Sequence, residues 1–280
     1  MKRDETDRGR AEPLTATQSP HVRLAAVVGS VFEGETALIG LTFTIEPEWH
    51  IYWDGLNDSG TAPRFAFEWP DGWVQGKTMW PVPKRQVLPG DIVDYVYEKE
   101  VTLLVPVFVP AGQPEREIEI PIRAKWLVCS NVCVPEKGQT TLRVGVLKPT
   151  TPSAERVSQP PRIADVLSRL LPKPLTAASG VNVETEASRL RIEAKGATVI
   201  RFMPASWSVG LLNAAADGES KRDVLDAELE SAETEHSVIA GVIEIVRTGE
   251  TEAYWFERPL VNEPIRSDGA GEGVVRETEK

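Results

Sequence analysis

The chain has 280 residues, of which 41% are hydrophobic and eight are tryptophan, enough apolar material for one large or two ordinary domains. Its formal net charge of −11 and a pI near 5.0 argue against nucleic-acid binding, which needs a basic footprint. No apolar run approaches the roughly 20 residues of a membrane helix, so we expect no membrane insertion of this chain.

Residues 1–20 are predicted to form a disordered polar arm. The first eight residues are polar and lack the apolar core of a signal peptide. Two interpretations stay open: a cytosolic protein, or an exported one whose signal has been removed and whose natural start lies elsewhere.

Residues 21–148 predict a β-sandwich. Short segments rich in β-branched residues alternate with turn sequences such as Asp58-Ser59-Gly60 and Pro89-Gly90-Asp91. Many short strands without helical periodicity are typical of a sandwich.

Residues 149–175 are predicted to be a proline-rich linker with one short helix. Pro161 suits the first turn and Pro172 ends the helix. One apolar stripe is expected to pack on a domain edge; it consists of Ile163, Val166, Leu167, Leu170 and Leu171.

Residues 176–262 predict a second small sandwich, and 263–280 a disordered charged tail. The second sandwich has no cysteine and one histidine, His236, so we assign no chemistry to it. The predicted fold class is therefore all-β, with two sandwich domains in tandem joined by a short linker helix.

The only two cysteines, Cys129 and Cys133, lie four residues apart in one apolar segment. A disulfide closing so small a loop stabilises a fold by only roughly 2 kcal/mol, which favours a pair kept for exchange chemistry. On a flat strand, residues four apart are too distant to be bridged. The pair must therefore span a turn or a strand-to-strand corner, with Ser130-Asn131 at its tip.

A series of motifs resembles the N-terminal periplasmic domain of DsbD-type thiol:disulfide interchange proteins, especially the ScsB-like branch. The resemblance covers roughly residues 22–148 and depends on the order of the motifs. These are Trp49-His50-Ile51-Tyr52-Trp53, Asn57-Asp58-Ser59-Gly60, Pro63, Trp80-Pro81-Val82-Pro83, Tyr95-Val96-Tyr97 and the segment from Trp126 to Pro135.

The resemblance implies two immunoglobulin-like domains, a periplasmic location and no cofactor beyond a redox-active Cys129–Cys133 disulfide. It implies that the pair takes reducing equivalents from a membrane electron carrier and passes them to thioredoxin-fold partners, with Cys133 forming the mixed disulfide. We expect a monomer. Two departures are noted: family members usually continue into a transmembrane domain, and their Asn-Pro-Gly-Asp-Ser-Gly stretch is Gly55-Leu56-Asn57-Asp58-Ser59-Gly60 here.

Other candidate site residues each have a structural alternative. Trp126 is typical of core packing, or else covers the sulfurs, and Pro135 closes the cysteine segment. For Tyr52, Tyr95 and Tyr97 one interpretation is that they shield the cysteine pair, and the other is that they are ordinary strand tyrosines. Asp58 supports the site, or forms an Asx turn, and for His50 a site role is the less favoured interpretation.

No Lys or Arg lies between the cysteines, and Lys125 and Lys137 flank them at a distance, so the sequence gives no reason for a strongly activated thiol. The alternative functions are Cu(I) binding by the two thiolates and a non-catalytic interaction module with an inert disulfide. No zinc site is predicted, because four Cys or His ligands are not available near the pair.

Overall fold

Alternation of apolar and polar residues places one face of each strand in a core. In the first strand, for example, Val22, Leu24, Ala26 and Val28 are buried and the residues between them are not. The computed structural model describes residues 19–114, 117–148, 159–186, 188–230 and 237–260. These residues are almost entirely strands and loops, so the all-β prediction is confirmed.

The first domain is a sandwich of a smaller and a larger sheet. Its described strands are, in chain order, β1 (Val22–Val28), β2 (Val31–Phe32), β3 (Thr36–Ile45), β4 (His50–Tyr52), β5 (Arg64–Phe67), β6 (Val74–Gln75), β7 (Lys84–Leu88), β8 (Ile92–Glu98), β9 (Glu100–Phe108), β10 (Glu117–Cys129) and β11 (Cys133–Leu147). The smaller sheet has the order β1-β3-β9-β6. The larger has the order β2-β11-β10-β4-β8-β7, with β5 pairing to β10 beyond the end of β4.

The second domain is a smaller sandwich. Its described strands are β12 (Lys173–Pro174), β13 (Val181–Glu186), β14 (Arg189–Ala194), β15 (Val199–Pro204), β16 (Glu219–Ser220), β17 (Val224–Glu228), β18 (Val238–Arg247) and β19 (Glu250–Pro259). One sheet has the order β12-β19-β18-β15-β16 and the other β13-β14-β17. Because β12 pairs with β19, this domain's sheet begins within the segment predicted as linker.

The linker helix differs from its prediction. It is α-helical over α1 (Pro161–Asp165) and continues as a wider π-type turn over Val166–Leu170, in which the Leu171 amide donates to the Val166 carbonyl. Ile163 and Val166 pack on Leu104 as expected. Leu167 and Leu170 are instead exposed, because the extra residue in the wide turn rotates them off the apolar stripe.

The predicted arm, tail and linker lie mostly outside the described residues. The arm's last two residues, 19 and 20, are described, and the Ser19 hydroxyl donates to Glu136 on β11. Residues 1–18, 149–158 and 261–280, and also His236, are not described.

The two domains share a core. Met203, Ala205, Ala240 and Val242 of β15, β18 and the loop after β15 belong to the same buried cluster as the interior of the first sandwich. The loop that follows β4 is bonded to the second domain: the Leu56 amide donates to the Pro204 carbonyl at 3.0 Å. The second domain thus supports a loop of the first, and that loop lies against the ring of Tyr52.

Candidate redox site

The cysteine pair closes the end of a β-hairpin. Cys129 is the last residue of β10 and Cys133 the first of β11; they stand directly opposite each other and are joined by a disulfide. Residues 130–132 form the connecting loop, in which the Ser130 amide donates to the Val132 carbonyl at 3.0 Å. The turn required by strand geometry is therefore a hairpin loop, with a Cα–Cα distance of 4.1 Å across the bridge.

The two cysteines are unequally accessible. Cys129 is 2% exposed and packs in a small cluster with Tyr52, Val96 and Leu127 on the outer face of the larger sheet. Cys133 is exposed, and so is its neighbour Val132, the last residue of the hairpin loop. A reagent or partner approaching from solvent therefore meets Cys133 first.

Tyr52 places a hydroxyl beside the accessible sulfur. Its oxygen lies 3.8 Å from Cys133 Sγ and 3.2 Å from Ser59 Oγ. Burial raises the pKa of Tyr52, so the phenol stays protonated and available as a donor.

Ser59 and Asp94 orient that hydroxyl. The Ser59 hydroxyl donates to Asp94 Oδ2 at 2.5 Å, and its amide donates to Asp94 Oδ1 at 3.0 Å. Asp94 is completely buried in β8. Because the Ser59 proton is committed to Asp94, Ser59 is an acceptor for Tyr52, whose one proton can be donated either to Ser59 or to sulfur.

The loop over the site is held in one conformation. The Asn57 side-chain oxygen Oδ1 accepts from the Tyr95 amide at 2.7 Å, and Asp58 Oδ2 accepts from the Val93 amide at 2.6 Å. Gly60 lies so close to Tyr52 that a Cβ there would be 2.1 Å from the ring carbon Cζ. The departure from the family's loop sequence thus leaves a well-bonded loop, in which Asp58 acts through the backbone of β8.

Three of the predicted aromatic residues lie on the core side of the sheet. Tyr95 and Tyr97 are buried there, which raises the pKa of each, and the Tyr97 hydroxyl donates to the Pro81 carbonyl at 2.6 Å. Trp126 packs edge-on against Phe43 and donates to buried Glu136 at 3.2 Å. These three residues lie on the core face of the larger sheet, whereas Tyr52 lies on the outer face with the disulfide.

Two further residues complete the surroundings of the disulfide. Pro135 is exposed on the same strand face as Cys133, two residues along β11. His50 stands directly opposite Cys129 in the sheet, with its ring edge-on to Tyr52 at 5.3 Å. Burial lowers the pKa of His50, so the imidazole is neutral near pH 7.

Sequence reasoning missed Ser59 and Asp94. Ser59 appeared only as part of a turn motif, and the one available signal for Asp94 was a carboxylate within an otherwise apolar strand, Val93-Asp94-Tyr95-Val96. Across the described residues, no group of three or more His, Cys, Asp or Glu side chains is arranged to hold a metal ion. In the same part of the chain, no helix has the length and apolar character to cross a membrane.

The comparison with known families agrees with this site. Residues 21–145, a little under half of the chain, match the family described as thiol:disulfide interchange protein DsbD, N-terminal. Residues 21–145 form a DsbD N-terminal domain. The cysteine pair lies within the matched residues, and the match supports a role in thiol–disulfide exchange in general.

A solved structure extends the likeness to both domains of the fold. The crystal structure of the N-terminal periplasmic domain of ScsB from Proteus mirabilis aligns with a TM-score of 0.55 at 14% identity, covering 90% of this chain and 98% of that one. At this identity the match shows the fold alone. No curated protein matches the sequence.

Proposed function

We propose that this chain carries out periplasmic thiol–disulfide exchange through Cys129 and Cys133, taking reducing equivalents from a membrane electron carrier and passing them to oxidised thioredoxin-fold partners. The observation that carries the proposal is the unequal exposure of a local disulfide on the DsbD N-terminal domain: Cys133 is exposed, and Cys129, opposite it on the neighbouring strand, is buried.

Both halves of the redox cycle depend on the greater exposure of Cys133. In the reduced domain, the Cys133 thiolate attacks one sulfur of a partner disulfide, forming a mixed disulfide and releasing the other partner sulfur as a thiolate, which takes up a proton. The Cys129 thiolate then attacks Cys133 Sγ, so that the Cys129–Cys133 bond forms and the second partner thiol leaves. The partner gains two electrons and two protons, and the domain loses them.

Regeneration runs in the opposite direction. A donor thiolate attacks the exposed Cys133 sulfur, Cys129 leaves as the thiolate, and a second donor thiol resolves the mixed disulfide. Tyr52 is placed to donate its hydroxyl hydrogen to Cys133 whenever that sulfur carries negative charge.

The test uses single-cysteine variants and a purified thioredoxin-fold protein whose own disulfide is oxidised. We expect Cys129→Ala to accumulate the mixed disulfide through Cys133. We expect Cys133→Ala to form at least about ten times less, since the buried sulfur is shielded from attack. Non-reducing electrophoresis and mass spectrometry of the trapped species measure both.

Two measurements separate the alternatives. An exchangeable pair should have a reduction potential above about −300 mV, whereas an inert structural bridge lies below it. Metal analysis of the reduced protein tests Cu(I) binding. Equal, negligible capture by both variants together with a potential below that limit would rule out the exchange function.

A further inference from the structure

A row of positive charge crosses the outer face of the larger sheet. Arg64 on β5, Lys125 on β10 and Lys137 on β11 occupy directly opposed positions on three adjacent strands, and all three are exposed. Like charges directly opposite each other in a sheet are destabilising. The arrangement therefore costs stability in the isolated protein and calls for an explanation.

The charges of this cation row are not neutralised within the described part of the chain, where none of the three side chains makes an ion pair. Arg123, two residues earlier on β10, is paired with Glu68 at 2.6 Å, which shows that a carboxylate is available to a neighbouring cation. The row lines a shallow groove of about 670 Å³. This positive surface lies on a chain whose net charge is −11.

The cation row is continuous with the redox site. Lys137 lies four residues beyond Cys133 on β11, and Lys125 lies four residues before Cys129 on β10, so all four side chains are on the same face of the hairpin. Only the pair Leu127 and Pro135 separates them. At a strand rise of about 3.3 Å per residue, the row is about 13 Å from the accessible sulfur.

We propose that the cation row is a docking surface for the oxidised thioredoxin-fold partner, and that this partner presents acidic side chains about 13 Å from its reactive disulfide. Charge complementarity of this kind raises the rate of encounter and fixes orientation more than it raises affinity. This inference rests on the exchange function proposed above and adds the charge and position of the surface that the partner offers.

The test uses two synthetic peptides that share one intramolecular disulfide and differ in a short tail. Four to six residues from the reactive cysteine, one peptide carries three glutamates and the other three lysines. Reduced protein is mixed with each oxidised peptide, and reduction of the peptide with formation of the Cys129–Cys133 bond is followed in time.

The net charge of the protein alone favours the basic peptide, whereas the cation row favours the acidic one. At about 0.15 M salt, where screening acts over about 8 Å, we expect the acidic peptide to react about 3–10 times faster. At about 1 M salt the screening length falls to about 3 Å and the preference should disappear.

The variant Lys125→Glu combined with Lys137→Glu should reverse the preference. The matched control, Lys195→Glu combined with Lys221→Glu, makes the same change of net charge at exposed positions of the second domain and should leave it intact. Dithiothreitol, which attacks as a thiolate, should reduce the disulfide of both variants and of the parent protein at equal rates at about 1 M salt, where the charge changes are screened; this checks that the fold and the disulfide are undisturbed.

A faster reaction with the basic peptide, or an acidic preference that survives in the Lys125 and Lys137 variant, would overturn the proposal. Binding to anionic phospholipid vesicles that is lost in that variant, without a peptide preference, would assign the row to a membrane surface instead and also overturn it. If neither peptide nor dithiothreitol exchanges with the pair, it is the exchange function itself that fails.

Discussion

The hydroxyl hydrogen of Tyr52 has two acceptors within reach, Ser59 Oγ and Cys133 Sγ. The redox state of Cys133 decides which of the two is the stronger acceptor. In the disulfide, Cys133 is a weak acceptor, and Ser59 Oγ at 3.2 Å is the better partner for Tyr52. In the reduced state, a thiolate is a much stronger acceptor. In the reduced state the Tyr52 hydroxyl can therefore donate to the Cys133 thiolate, and its oxygen has to move little to do so.

Replacing Tyr52 tests this account. Tyr52→Phe removes a net hydrogen bond worth about 1 kcal/mol, so we expect attack of the reduced protein on a small neutral disulfide to slow about fivefold at pH 7. The pH–rate profile should move to higher pH. Tyr97→Phe, which loses a core hydrogen bond on the other side of the sheet, should lower stability and leave that profile in place.

His50 adds a pH dependence to stability. Burial lowers its pKa in the folded protein, so below about pH 6.5, the ordinary value, the unfolded chain binds more protons than the folded one. Stability should then fall as the pH drops from 7 towards 5, through protonation of this ring. We expect His50→Gln to show a shallower loss of stability over that interval in urea titrations at each pH; equal slopes would contradict the assignment.

At the scale of elements, the site is one hairpin covered by one loop. The β10–β11 hairpin fixes the two sulfurs, and the loop of residues 55–60 presses on Tyr52 through Gly60. Close approach of backbone to ring requires a residue without a Cβ. The loop therefore controls how tightly Tyr52, which packs with Cys129, is covered.

Gly60→Ala should lift the loop from the ring. We expect a loss of about 1–3 kcal/mol in the free energy of unfolding from overpacking, and faster reduction of the disulfide by dithiothreitol. Gly145→Ala on β11 is the matched control, because a Cβ there meets no atom within 4 Å. Unchanged reduction kinetics in Gly60→Ala would show that the loop does not limit access.

At the scale of the whole molecule, the two sandwiches are coupled through the core they share. The sheet of β15 and β18 is covered on both faces: Phe202 and Ile243 face its own domain, while Met203 and Val242 face the first. This explains the nearly continuous apolar run of β18, which a sheet with one solvated face would not need.

Ala205→Asp tests the coupling. Ala205 is fully buried in the shared cluster, and a carboxylate there has no partner, so the substitution should cost several kcal/mol and lower the unfolding temperature by about 5 °C or more. We expect one cooperative calorimetric transition for the parent protein. The exposed Ala216→Asp should change little, and a parent protein with two independent transitions would contradict a shared core.

The sequence by itself determined the strand content, the two-domain order and the need for a turn between the cysteines. These are local properties: alternation follows from the two-residue period of a strand, and a bridge over four residues requires a reversal of the chain. The sequence predicted the position of the helix between the domains correctly and its exposed face incorrectly. A single wide turn changes the direction in which the residues after it point.

Only the tertiary structure decided which side chains meet the sulfur. Ser59 and Asp94 are 35 residues apart in the chain, and the cation row comes from three strands, β5, β10 and β11. Such neighbours depend on strand register, which is set by packing of the whole core rather than by any one segment. The unequal burial of Cys129 and Cys133 also depends on tertiary structure. The two cysteines share one local segment, but Tyr52 and Val96, which pack against Cys129, lie on other strands of the sheet.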